Sequence, residues 1–279
     1  MLLTDAWSLY EADKQIEGFS PATLKGYKIQ HNLLVRYFGD IDIEEITLAN
    51  LKTYLIEAGS HLKPSSLGVR IRFIRAFFRW AADEGYCAGN PARRLREPKL
   101  GPRVPKALNE ELSERLRQAC ISNLEHAIIE FLLSTGCRIG EIYSLNRTAP
   151  NWENRSCIVM GKGSKEREVY FSWQAKIYLQ WYLNGRTDDD PALIVTERAP
   201  HRMSIAQIRY IVKRIAKRAG IEANVYPHKL RHTFATHMLN RGAPLEAVQD
   251  QLGHCKIETT KIYCALSGER RREIYNRYY

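Results

Sequence analysis

The chain has 279 residues, 44% of them hydrophobic and 26% charged, a balance that suits one large or two ordinary soluble domains. No apolar run is long enough to cross a bilayer, and the N-terminal stretch MLLTDAWSLYEADK lacks the basic and apolar regions of a signal peptide; six scattered cysteines without a CxxC pair fit reduced thiols in the cytoplasm. The net charge of +11 points to a polyanion partner, above all nucleic acid.

Residues 1–96 read as all-helical. Ser20 and Pro21 open one helix as N-cap and first helical residue, followed by Leu24, Tyr27, Leu34 and Phe38 at helical spacing. In SSLGVRIRFIRAFFRWAADEG, Leu67, Ile71, Ile74, Phe78 and Ala81 step by four and three and define a buried face. Arg72, Arg75 and Arg79 form a basic stripe on another face, either solvated or set against phosphates. The segment 90–108 carries four prolines and reads as an extended connection, which sets a helical domain over 1–98, a linker over 99–106 and a second domain over 107–279.

The second domain is mixed. Asn109 caps a helix with Glu110 and Glu111 in its first turn, and NLEHAIIEFLLSTG is a buried helix ended by Gly136. SCIVMGKGSKEREVYF is a hairpin around a Gly-rich turn, WQAKIYLQWYLNG a helix and ALIVTE a short strand. SIAQIRYIVKRIAKRAG puts Ile205, Ile208, Val212 and Ile215 on one helical face and Arg209, Lys213 and Lys217 on another. From Pro227 onward the pattern is helical.

Several polar residues could carry chemistry. Arg138 follows the helix-ending Gly136 and opens the next helix, a place that favours an anion. Lys162 sits between two glycines at the hairpin tip, with Lys165 beside it; the phosphate-cradling P-loop pattern is absent. His228 and Arg231, three apart, share a helix face, whereas His232 and His237, five apart, do not fit a helical zinc pair and read as packing or surface residues. His254 ends a helix and Tyr263 follows nine residues later. Singly, each suits a structural role. Together they supply what phosphodiester chemistry with a protein nucleophile needs: guanidinium groups for the non-bridging oxygens, imidazoles for a proton, and a mobile lysine for a leaving oxygen. No acidic pair or metal-ligand cluster is apparent, so a two-metal nuclease site lacks its ligands, and no cofactor is expected.

The order Arg138, Lys162, His228-x-x-Arg231, His254, Tyr263, with the flanks TGCRIGE, GKGSKER, HKLRHTFATH, LGH and TTKIY, resembles the catalytic set of the tyrosine recombinases, the lambda-integrase family, and within it the two-domain Xer-type enzymes. Cys137 and Lys229 stand where that family commonly has leucine and aspartate. The resemblance implies a mainly α fold with a small β-hairpin: an all-helical, SAM-like core-binding domain followed by an α+β catalytic domain. It implies cleavage and rejoining of DNA strands through a 3′-phosphotyrosine on Tyr263, without metal or ATP, for integration, excision or resolution. Arg138 and Arg231 would clamp the phosphate, His228 act as base, His254 donate to the phosphate and Lys162 protonate the leaving oxygen. Arg72, Arg75, Arg79, Lys165, Arg209, Lys213 and Lys217 would contact double-stranded DNA at a specific site. The terminal ERRREIYNRYY would pack on a neighbour in a homotetramer on two duplexes, and accessory proteins are compatible with this picture. Glu141, three residues after Arg138, either orients that guanidinium or forms a surface ion pair. A type IB topoisomerase and a non-catalytic DNA-binding regulator are the competing readings.

Overall fold

The computed structural model of the chain describes residues 1–101, 107–161, 165–253 and 275–276. The chain divides into two units, Met1–Arg103 and Val104–Tyr279, each with a hydrophobic core of its own.

Among its described residues, the first unit contains four α-helices, α1 (Leu3–Ile16), α2 (Pro21–Phe38), α3 (Leu48–Glu57) and α4 (Pro64–Asp83), with a 3-10 turn at Ile43–Glu45. Local sequence sets the starts. Ser20 accepts from the Thr23 N–H at the head of α2 with Pro21 behind it, and Thr47 and Asn50 form a reciprocal capping box on α3. The expected α4 face is buried: Ile71, Phe73, Ile74, Phe77, Phe78 and Ala81 meet Leu3, Trp7 and Tyr10 of α1. Each such side chain contributes roughly 1.5–3 kcal/mol on leaving water. The helical expectation fails past Asp83, where residues 84–101 form turns; Gly85 takes a positive φ of 75°, and Cys87, Ala92 and Leu95 still pack into the core.

In the second unit the helices are α5 (Glu110–Gln118), α6 (Asn123–Thr135), α7 (Ile139–Ser144), α8 (Trp173–Asn184), α9 (Ile205–Arg218), α10 (Pro227–Asn240) and α11 (Leu245–Leu252). Among the described residues, a single antiparallel hairpin, β1 (Ser156–Met160) and β2 (Glu166–Tyr170), runs in register from Ser156↔Tyr170 to Met160↔Glu166. α6 is apolar nearly all round, which is why it lies at the centre, packed on α8, α10, α9 and α5. Phe234 and Ala235 of α10 form a smaller cluster with Val248 and Leu252 of α11.

The strand expected at ALIVTE is absent. Ala192, Leu193, Ile194 and Val195 are buried as the pattern required, but their backbone changes partner at each step. Leu193 donates to Leu145, Ile194 accepts from Met203, and only isolated bridges, Asn146↔Ala192 and Val195↔Arg202, result. Burial of an apolar run without a continuous neighbouring strand gives an extended core segment, not a ladder. Among the described residues no helix is long and apolar enough to cross a membrane.

Candidate active site

α6 ends where the sequence predicts, at Gly136, in the left-handed conformation with φ +62°. A Cβ there would lie 2.4 Å from Phe234 Cδ1 and 3.0 Å from Leu252 Cδ2, so glycine is required both by the turn and by the close approach of α10 and α11. Two residues later Arg138 stands at the N-cap of α7, and its backbone N–H donates to Glu141 Oε2 at 2.7 Å.

Arg231 reaches this turn from α10. It is only 3% exposed; Nη1 donates to the Gly136 carbonyl at 2.7 Å and Nη2 to the Leu252 carbonyl at 2.6 Å. Arg138 donates through Nη2 to the Gly253 carbonyl at 3.3 Å and through Nη1 to Glu141 Oε1 at 2.8 Å, and its side chain keeps 31% exposure. Arg138 and Arg231 therefore meet around the Gly136 turn and the end of α11.

A third arginine, not anticipated from the sequence, completes the cluster. Arg167 of β2 forks onto Glu141, with Nη1 2.8 Å from Oε1 and Nη2 2.7 Å from Oε2, and its Nε donates to the Gln251 carbonyl at 3.0 Å. The three successive carbonyls of Gln251, Leu252 and Gly253 thus each receive one guanidinium, from β2, α10 and the head of α7 in turn. Helix C-termini expose carbonyls and carry negative partial charge, which suits cations. The signal for Arg167 was present but faint: in EREVY it shares the inward side of the strand with the buried Val169, while Glu166, Glu168 and Tyr170 are exposed.

Glu141 is 4% exposed and accepts four hydrogen bonds, so it is no surface ion pair. Burial pushes its carboxyl up, but donation by Arg167 and by Arg138 outweighs this and leaves it below the ordinary carboxylate range. A buried carboxylate is tolerated when its lone pairs are filled in this way.

His228 lies on α10 one turn before Arg231, with its side chain exposed. Its pKa is lowered, first by partial desolvation and then by the cations of Arg231, Arg138 and Arg209, with Glu141 opposing. The ring is therefore neutral at pH 7 and able to accept a proton. His232 falls further, to about 4, through desolvation and the neighbouring His228 and Arg231. His237 pairs by Nε2 with the Leu108 carbonyl at 3.1 Å, while Thr233 accepts from the Leu108 N–H at 2.9 Å; these α10 residues hold the start of the unit. Lys162, His254 and Tyr263 lie outside the described residues.

Residues 103–270 match the phage integrase family. The chain is 35% identical over 272 residues to the tyrosine recombinase XerC of Corynebacterium glutamicum, covering 94% of this chain and 87% of that protein. The chain belongs to the phage integrase family of tyrosine recombinases. Among solved structures, a XerA recombinase matches at 28% identity over 99% of this chain and 98% of its own, with a TM-score of 0.58. A lambda integrase in a tetramer bound to a Holliday junction shares the fold, with a TM-score of 0.77 at 19% identity over 92% of this chain and 78% of its own. The activity is site-specific DNA strand breaking and rejoining; neither the topoisomerase nor the regulator reading is favoured.

The recombinase presents its remaining predicted cations on exposed faces. Arg209, Lys213 and Lys217 are exposed along α9, and none forms an ion pair among the described residues. Their neighbours Arg214 and Arg218 are instead committed to the buried Glu125 of α6. Lys165 is exposed at the start of β2, where its carbonyl accepts from Gly161 at 2.7 Å. In the first unit Arg72, Arg75 and Arg79 are all exposed, but Glu97 pairs with Arg72 and lies 4.0 Å from Arg75. The stripe is thus partly neutralised by a residue that lies 25 positions away from Arg72 and escaped the helical reading.

Proposed function

We propose that the recombinase cuts its DNA by attack of the Tyr263 hydroxyl on the scissile phosphate. The attack forms a 3′-phosphotyrosine and releases a 5′-hydroxyl on the other side of the break. A phenol with a pKa near ~10 is a weak nucleophile at neutral pH and needs a base. His228 takes that proton, since partial desolvation and then its neighbouring cations favour the neutral ring. Arg138 and Arg231 bind the non-bridging oxygens by charge-assisted bonds and stabilise the charge that builds on them. His254 donates a further bond, and Lys162 protonates the leaving 5′-oxygen. The new ester replaces the one broken, so attack by a 5′-hydroxyl from a second strand restores a phosphodiester without ATP.

The observation that carries this reading is the convergence of Arg138, Arg231 and a neutral His228 around one turn, at the point where the chain leaves α11 toward His254 and Tyr263. Arg72, Arg75 and Arg79 of the first unit and Arg209, Lys213, Lys217 and Lys165 of the second contact the DNA. The working assembly is a homotetramer on two duplexes; a lambda integrase of the same fold is a tetramer bound to a Holliday junction. The decisive test is a nicked suicide substrate: wild-type protein forms a covalent adduct on a denaturing gel, and Tyr263→Phe forms none. An adduct from the phenylalanine variant would remove Tyr263 from its role.

A further inference from the structure

We infer that Arg167 is a positioning residue for strand cleavage: it shares the Glu141 carboxylate with Arg138 and thereby sets the orientation of the phosphate-binding arginine and leaves the trio net positive. The inference rests on the reading of Arg138 as a phosphate ligand.

The geometry is specific. Each oxygen of Glu141 accepts two bonds, Oε1 from Arg138 Nη1 and Arg167 Nη1, and Oε2 from the Arg138 backbone N–H and Arg167 Nη2. The carboxylate is held as a fork by Arg167 and offers only its remaining lone pairs to Arg138. Its position is therefore fixed from β2, and the Arg138 side chain, which begins on the short α7, takes its direction from that fixed point. The Arg167 stem is itself confined. A Cβ at Gly253, where φ is +64°, would lie 2.9 Å from Arg167 Cδ and 3.1 Å from Nε, so the backbone leaving α11 lies directly against this side chain.

Charge supplies the second argument. Glu141 paired with Arg138 alone would cancel most of the positive charge that a phosphate is to meet. Two guanidinium groups on one carboxylate leave the trio net positive, with Arg138 the more exposed cation, at 31% against 11% for Arg167. The surplus charge is held in place before DNA arrives, which is the condition for electrostatic stabilisation without reorganisation at the moment of reaction. A lysine at position 167 would supply the charge but not the fork.

The test is a double-mutant cycle on single-turnover adduct formation with the suicide substrate, alongside DNA affinity by gel shift. Arg167→Gln is expected to keep DNA affinity within about twofold while the adduct rate falls about 10–100-fold, the scale of a displaced catalytic group. In a Glu141→Gln background the same change is expected to add almost nothing, because its route of action is already gone. The pH profile separates positioning from bracing. Arg167 supplies the strongest contact holding the Glu141 carboxyl down, so R167Q should lose rate on acidification at a higher pH than wild type does. A wild-type adduct rate in R167Q overturns the inference, as does an equal fold loss in both backgrounds, which would mean that Arg167 merely braces α11 through Gln251. Should R167Q fail to bind DNA, Arg167→Lys is put through the same cycle, with the same two outcomes deciding it. Arg138→Ala keeps the two claims apart: an adduct from it sinks the reading of the site itself, whereas an inactive R138A beside a fully active R167Q sinks only the role of Arg167.

Discussion

Replacing Gly136 by alanine isolates the turn on which the arginine cluster depends. Two costs can be worked from the structure. At φ +62° an L-residue pays roughly 1–2 kcal/mol for the left-handed conformation. The new methyl would then sit 2.4 Å from Phe234 Cδ1 and 2.9 Å from Cε1, with Leu252 Cδ2 at 3.0 Å, and Phe234 has little room to retreat because it packs on α11. Overpacking of this kind costs roughly 1–3 kcal/mol. The sum, about 2–5 kcal/mol, corresponds to a fall of roughly 5–20 °C in the transition of a unit this size. Scanning calorimetry on the full chain reads it, with the transition of the first unit unchanged as an internal control. Trimming the obstacle should restore part of the loss, so Gly136→Ala with Phe234→Leu is expected to melt above Gly136→Ala alone. A single variant that melts within about 1 °C of wild type would refute the reasoning, since it would mean that the turn is neither strained by a side chain nor pressed by α10.

Two further outcomes follow from charge. His228 has a folded pKa below the ordinary histidine value, so its neutral form survives acidification that would protonate an exposed imidazole. At subsaturating DNA, adduct formation should therefore hold down through pH 6.5 and decline only below it, and a decline centred above pH 6.5 would exclude His228 as the base. Glu97 holds Arg72 and sits near Arg75, so Glu97→Gln should release both to phosphates, tightening DNA binding by up to about fivefold at low salt and steepening its salt dependence; unchanged affinity and slope would place that stripe away from the DNA.

What the sequence made legible was local. Gly136 ends α6, Asn109 caps α5, and the four-three spacing of Leu67 to Ala81 marks the inner face of α4, because each of these signals is written within one or two helical turns. Arg138 and Arg231 were legible as cations at special positions, though their partners were not. Arg167 and Glu141 are 26 residues apart, Arg231 and Gly136 are 95 apart, and nothing in a helical or strand period announces which acceptor a guanidinium will find. The error at ALIVTE has the same origin. The apolar run fixed burial correctly, but a strand also needs a continuous neighbour, which is a property of the fold and not of the segment.

The two phosphate-binding candidates are not equivalent, and the difference follows from what already holds them. Arg231 is almost wholly buried and makes two short bonds to carbonyls from separate helices, so moving it would strip the ends of both α6 and α11 of their partner. Arg138 makes a long bond of 3.3 Å to a neutral carbonyl and keeps a third of its side chain in water. A phosphate oxygen, carrying charge, is a stronger acceptor for a guanidinium than a neutral carbonyl is. On meeting DNA, Arg138 can exchange its Gly253 contact for the phosphate at little cost, while Glu141 keeps its other Nη in place. On the proposed reading, the cluster divides into a fixed guanidinium that would define where the phosphate sits and an adjustable one that would close on it. The bond that Arg138 would give up is the one to the Gly253 carbonyl, at the end of α11.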